Sequence, residues 1–350
     1  MKKAIVMSLL LLGIGSMWAK KPENTGLQEV RNVIFLIGDG MGLNQICTLD
    51  SPNNFERAQA TGFSKTASYD HKVTDSAARG TAMACGIKTR NRHIGLDKDS
   101  LPVPSLLAEM HDRKFATGIV VSCMIDHATP ASFYAHQPNR HMSAEIIGDL
   151  YRSSLDYFAA GGRKIVSSDS LTDKGFVVCN SLEASANARQ GRVAVLLADE
   201  ALPPASQRGD IMQQAVKDAL RFLSNQPQGF GLMVEGSQID WTCHDNNGDE
   251  LRAEMADFNE IVGICMDYCD QHPGTLLIVT ADHETGATTL IGEDKTPTFA
   301  SKKHTGVWVP VFAYGTNAGQ FAKVQENSSF KEAILRMLAG KKNPGKGKKQ

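Results

Sequence analysis

The chain predicts an α/β fold, a mostly parallel central sheet with helices on both faces. Short apolar runs rich in β-branched residues stand at 32–37, 117–122, 231–234, 275–280 and 309–313. Continuous apolar runs of that length read as strands buried on both sides. Between them, apolar positions recur at helical spacing over 104–112, 211–223 and 251–269, and strands alternating with helices imply parallel strands covered on both faces. With 350 residues, 42% of them hydrophobic, the chain can bury a core of that size.

Taken in order, residues 1–19 read as a secretory signal peptide, with Lys2-Lys3, an apolar run and small residues ending at Ala19. The run is too short to span a bilayer, so no membrane span is expected after its removal, and the protein is expected to be periplasmic or secreted. The strand at 32–37 leads into Asp39. The strand at 117–122 leads towards His127 and Thr129, that at 231–234 into Glu235, and that at 275–280 into Asp282-His283. His304 precedes the strand at 309–313. Ligands of such sheets gather beyond the carboxyl ends of the strands, so these polar residues are expected to meet on one edge. Residues 161–204 are the least regular stretch and read as a candidate subdomain. No repeat or long linker divides the rest, and a single catalytic domain is expected over 24–340. The Lys-, Gly- and Pro-containing stretch 341–350 reads as a flexible basic tail.

A net charge of −1 gives no general attraction to nucleic acid or to an anionic membrane. The seven cysteines leave at least one unpaired, and their connectivity cannot be read from the sequence. No CxxC pair is present, which argues against a cysteine-based zinc site. Cys265 and Cys269, four apart, would share a helix face and read as packing residues.

The chemistry begins at 73–82, Val-Thr-Asp-Ser-Ala-Ala-Arg-Gly-Thr-Ala, where Ser76 stands at the start of a small-residue helix. A helix N-terminus offers unpaired N–H groups and partial positive charge, which suit a phosphoryl group. Ser76 is therefore a candidate nucleophile, although this segment alone reads first as an ordinary N-cap. Asp240 and His244, four apart, would share a face of a helical turn. Together with Asp282, His283 and His304 they supply the imidazole and carboxylate ligands that zinc takes outside cysteine sites. The other histidines, His71, His93, His111, His136, His141 and His272, read as surface or structural residues, and Trp308 and Phe312 as core.

Seven motifs then carry a resemblance: Leu36-Ile37-Gly38-Asp39-Gly40-Met41-Gly42, Thr74-Asp75-Ser76-Ala77-Ala78, His127-Ala128-Thr129-Pro130, Asn139-Arg140, Val234-Glu235-Gly236-Ser237-Gln238-Ile239-Asp240, Thr280-Ala281-Asp282-His283-Glu284 and His304-Thr305-Gly306. In this order the chain resembles an alkaline phosphatase. The resemblance implies that Asp240, His244 and His304 hold one zinc, and that Asp39, Asp282, His283 and the Ser76 oxygen hold a second. Asp39 would also reach a magnesium with Thr129 and Glu235, a hard cation that prefers oxygen. Arg140 would grip the phosphate through its planar fork. The implied reaction is hydrolysis of small phosphate monoesters through a phosphoserine on Ser76, assisted by two Zn2+ and one Mg2+ and favoured at alkaline pH.

Two positions depart from the best-known bacterial pattern of Asp and Lys: this chain has His127 and Trp241. His127 suits magnesium less well than a carboxylate, so the third site is expected to bind it more weakly, through water, or to hold another metal. Trp241 offers phosphate no charge. Residues 284–303 leave no room for the large crown insertion of animal members. Many relatives are dimers, which makes a homodimer an expectation by analogy. The alternatives are a phosphodiesterase of the same superfamily, a sulfatase or mutase relative, and a phosphate- or metal-binding protein without turnover. Segment 76–79, Ser-Ala-Ala-Arg, lacks the sulfatase pattern, and diesterases usually carry a threonine nucleophile without the Thr129 and Glu235 pair.

Overall fold

β1 (Asn32–Gly38) lies near the middle of a ten-stranded sheet. Its side chains alternate between two cores: Val33, Phe35 and Ile37 enter one, Ile34 and Leu36 the other. That is the period-two pattern of a strand covered on both faces. The computed structural model describes residues 26–292 and 296–338, so the expected signal peptide and basic tail lie outside the described residues.

The strands that follow are β2 (Ala60–Lys65), β3 (Ala116–Met124), β4 (Tyr157–Gly161), β5 (Phe176–Cys179), β6 (Arg192–Ala198), β7 (Phe230–Gly236) and β8 (Thr275–Ala281). After them come β9 (Glu284–Thr285), β10 (Thr288–Leu290), β11 (Pro297–Phe299), β12 (His304–Thr305), β13 (Val309–Gly315) and β14 (Val324–Glu326). Across the sheet the order is β14-β2-β13-β8-β1-β7-β3-β4-β6-β5. Pairing is parallel except at β13, which runs antiparallel to both β8 and β2. The sheet is thus mostly parallel, as expected. The five strands foreseen from apolar runs are its contiguous centre, β13-β8-β1-β7-β3.

Residues 161–204 do not stand apart. β5 and β6 pair onto β4 and extend the same sheet. The helices Ser76–Cys85, Leu106–Asp112, Ser143–Arg152 and Phe330–Met337 cover one face, and Ile211–Leu223, Gln238–His244 and Gly248–Gln271 the other. All seven cysteines are free; Cys47 is exposed and the other six are buried, Cys265 and Cys269 packing into one core. No helix among the described residues is long and apolar enough to cross a membrane.

Candidate active site

Parallel neighbours end on the same edge, and here the register is tight: Gly38 pairs with both Gly236 and Ala281. Asp39, Asp282 and the helix Gln238–His244 therefore emerge side by side. Glu235 lies within β7 rather than after it, opposite Ile37 and Val121. Because β13 runs the other way, its start lies on this edge, and β12 brings His304 there by pairing with β9. β2 is antiparallel to β13, so its end delivers the Ser76 helix to the same place. Gly40 completes the turn after β1 at φ +75°, a left-handed conformation suited to glycine. A Cβ there would stand 2.8 Å from Asp240 Cα. Its N–H donates to Asp282 Oδ1 at 3.0 Å.

The capping role at the Ser76 helix belongs to Asp75, whose Oδ1 accepts from Ala78 N at 3.0 Å. Ser76 is the first helical residue, buried, with Oγ 3.3 Å from His283 Nε2. Its hydroxyl is thus released from local capping and turned into the edge cluster. Asp75 Oδ2 also accepts from Arg92 N at 3.0 Å and lies 3.7 Å from Arg140 Nη1. Arg140 is anchored through its own N–H, which donates to Arg92 O at 2.9 Å, and its charge is felt by His127 and His283.

Two groups of side chains offer ligand atoms within 4.8 Å of one another: Asp240, His244 and His304, and Asp39, Asp240 and His283. In the first, His244 Nδ1 donates to Lys302 O at 2.7 Å and His304 Nδ1 to Thr74 O at 3.0 Å. Both Nε2 atoms are thereby turned towards each other across 3.2 Å, with Asp240 Oδ2 at 3.2 Å from His244 Nε2. Two converging imidazole nitrogens and a carboxylate suit a cation, which would take the place of the proton His244 shares with Asp240. In the second group, Thr285 Oγ1 donates to Asp240 Oδ1 at 2.5 Å and so accepts from His283 Nδ1 at 3.1 Å. His283 Nε2 then faces Asp282 Oδ2 at 3.1 Å and Asp39 Oδ1 at 3.5 Å. Asp39 Oδ1 and Asp282 Oδ2 are buried oxygens with no hydrogen-bond partner. Buried acceptors without donors are costly, and a metal ion is the group this donor set suits.

The electrostatics agree. Burial, then the charges of Asp282, Asp240 and Glu235, push the Asp39 carboxyl well above its ordinary pKa. Burial works against the Asp282 carboxylate too, but His283 and the N–H of Gly40 outweigh it and hold its pKa below the usual range. The hydrogen bond with Asp240 raises His244 to about 9. Glu235 rises to about 7, chiefly through burial, despite the Ser237 hydroxyl that donates to its Oε2 at 2.7 Å.

Thr129 is buried on the short helix Ala128–Ala131, where its hydroxyl helps to hold the Glu235 pKa down against burial. His127 precedes that helix with burial lowering its pKa, and its ring lies 5.4 Å from that of Trp241. Sequence reasoning missed Thr285, Ser237 and Cys123, whose thiol reaches Glu235 Oε2 at 3.5 Å. Only adjacency to the ligand motifs could have flagged the first two. Trp308 is not core: it is 52% exposed, just before β13 enters the sheet. Phe312 packs partly buried against one core. His136 Nε2 is tied to Val103 O and His272 stacks on Tyr268, while His71 pairs with Asp70 at the surface.

The alkaline phosphatase family pattern matches residues 30–157 and 178–299. The chain is 34% identical to alkaline phosphatase 4 of Bacillus subtilis, covering 81% of this chain and 70% of that one. It is 32% identical to alkaline phosphatase 3 of the same organism, covering 77% and 64%. It thus spans about two thirds of the length of these relatives. Among solved structures it superposes on alkaline phosphatase from the Antarctic bacterium TAB5 with a TM-score of 0.84 and 38% identity, over 89% of this chain and 98% of that one. Pattern, relatives and fold coincide with a strand edge that gathers a free serine hydroxyl and two metal-binding groups, and the chain belongs to the alkaline phosphatase family.

Proposed function

We propose that the protein hydrolyses small phosphate monoesters through a phosphoserine on Ser76, with two zinc ions and one magnesium as cofactors. The observation that carries this reading is the Ser76 hydroxyl, freed by the Asp75 cap and set 3.3 Å from His283 Nε2 beside two orphaned carboxylate oxygens. Asp240, His244 and His304 would hold one zinc, Asp39, Asp282 and His283 the other, and Asp39, Glu235 and Thr129 the magnesium. When bound, such ions neutralise phosphoryl charge and make hydroxyl groups and water nucleophilic near neutral pH.

The protein's own groups do the rest. The helix beginning at Ser76 directs its N–H groups and positive end towards a phosphoryl anion. Arg140 faces that anion with a planar fork, oriented by Asp75 and Arg92. Burial of the serine excludes bulk water during attack. At the third position the neutral imidazole of His127 replaces a carboxylate and weakens magnesium binding. In support, a TAB5 variant with glutamate in place of a histidine has been solved with Mg bound in its M3 site. Residues 1–19 support export to the periplasm or medium, and homodimerisation remains an analogy with relatives.

The test is hydrolysis of an aryl phosphate at alkaline pH with zinc and magnesium added. Ser76→Ala and chelation should each lower kcat by at least about a thousandfold, and zinc should restore the chelated sample. A zinc-loaded wild type that cleaves diesters but not monoesters would point instead to the phosphodiesterase reading, and one that cleaves neither to a binding protein.

A further inference from the structure

Among the described residues, the largest fully buried side chain is a cation, Arg79, on the helix that carries Ser76. Its Nη1 donates to Lys65 O, and its Nη2 to Ser64 Oγ at 2.8 Å and to Ala281 O at 3.4 Å. Its Nε has no partner. None of these acceptors is a carboxylate, so a charge has been taken out of water without a hydrogen-bonded counter-charge, an arrangement that costs stability. The acceptors are informative in their positions. Ser64 and Lys65 end β2, and Ala281 ends β8 immediately before Asp282-His283.

Residues three apart on a helix share a face. Ser76 and Arg79 therefore reach the same strand end in two places, Ser76 Oγ at His283 and Arg79 Nη2 at Ala281. The guanidinium is planar, with donors in a fixed fork, and here the fork spans two strands at once. A lysine would have to reach these acceptors from one shorter-reaching ammonium without the planar fork that fixes their relative direction.

We propose that Arg79 is a positioning residue for the reaction: it clamps the Ser76 helix to the ends of β2 and β8 and so fixes the nucleophile against the Asp282–His283 pair. This rests on the phosphoserine reading above. Arg79 touches neither substrate nor reacting atoms. Its effect is confined to how closely Ser76 is held in line for attack.

The experiment compares wild type, Arg79→Met, Arg79→Lys and Ser64→Ala, each loaded with zinc and magnesium. Rapid-quench labelling measures phosphoserine formation from an aryl phosphate. Inhibition by inorganic phosphate, zinc content and thermal unfolding are measured on the same samples. Arg79→Met keeps the side chain's bulk and should form phosphoserine about a hundredfold more slowly, the scale expected of a nucleophile displaced by an ångström. Phosphate inhibition and zinc content should stay near wild type. Arg79→Lys should recover part of the loss. Ser64→Ala, which removes one tether and leaves the arginine, should slow labelling by a smaller factor with only a modest fall in unfolding temperature, and it decides the matter if Arg79→Met does not fold. Labelling at the wild-type rate in folded variants, or a loss that merely tracks zinc content, would overturn the inference. A wild type that labels no serine, with Ser76→Ala as control, would sink the functional reading itself, a result distinct from either.

Discussion

Thr285 has no chemistry of its own in this site, yet its hydroxyl touches both Asp240 and His283. It fixes which nitrogen of His283 is free, and Thr285→Val should therefore lower zinc affinity by about 10–100-fold, read by competition titration on the folded protein. His244 gives a signed pH dependence. Its pKa is raised to about 9 by the hydrogen bond with Asp240, against the opposing effect of burial. A histidine raised above its unfolded value near 6.5 stabilises the metal-free fold fully below about pH 6.5, and that contribution is lost as pH rises through about 9. Zinc must displace the same proton, so its affinity should climb with pH and level off above about 9; zinc titrations at several pH values would show it. The carboxylates and imidazoles of this edge were legible in the sequence because they stand in order at strand ends. Thr285, Ser237 and Cys123 were not, since a hydroxyl or thiol acquires its role only from the neighbour it faces.

At the scale of elements, the Ser76 helix depends on Asp75, which caps it, holds Arg92 N and stands by Arg140. Asp75→Ala should cost about 1 kcal/mol of stability as a lost N-cap, measured by urea unfolding, and should also weaken inhibition by phosphate, because Arg140 loses its orienting partner. The same logic of neighbours explains which strands could be read. The five apolar runs are the sheet's centre, where both faces are buried and the strand interiors are apolar. β2, Ala60–Lys65, alternates buried with exposed or half-buried positions and carries Thr, Gly, Ser and Lys, so it gives no run. β5 and β6 lie at the far edge, with short or polar-flanked segments. Helix 211–223 was legible to the residue because its apolar stripe is regular, whereas Gly248–Gln271 starts earlier than 251 through the Asn247 side chain, which accepts from Glu250 N.

For the whole molecule, one internal ion cluster stands apart from the active edge. Arg208 meets Glu254 at 2.7 Å and Asp257 at 2.5 Å, all nearly inaccessible to water. Arg208→Met should destabilise the fold by about 3–5 kcal/mol, because it leaves Glu254 buried and uncompensated, while the folded fraction keeps its kcat. Denaturant unfolding with activity measured below the transition would test both halves. β13 has a different kind of importance. It sits between β8 and β2, and β14 reaches the sheet only through β2. While the chain is being made, β2 has no strand to join until residues beyond 309 have left the ribosome, and His304 arrives just ahead of that same late strand. A growing chain therefore cannot complete the Asp240, His244 and His304 group early: translation itself places that step near the end, and a chain stopped short of β13 keeps seven of the ten strands together but leaves β2 and β14 outside the sheet.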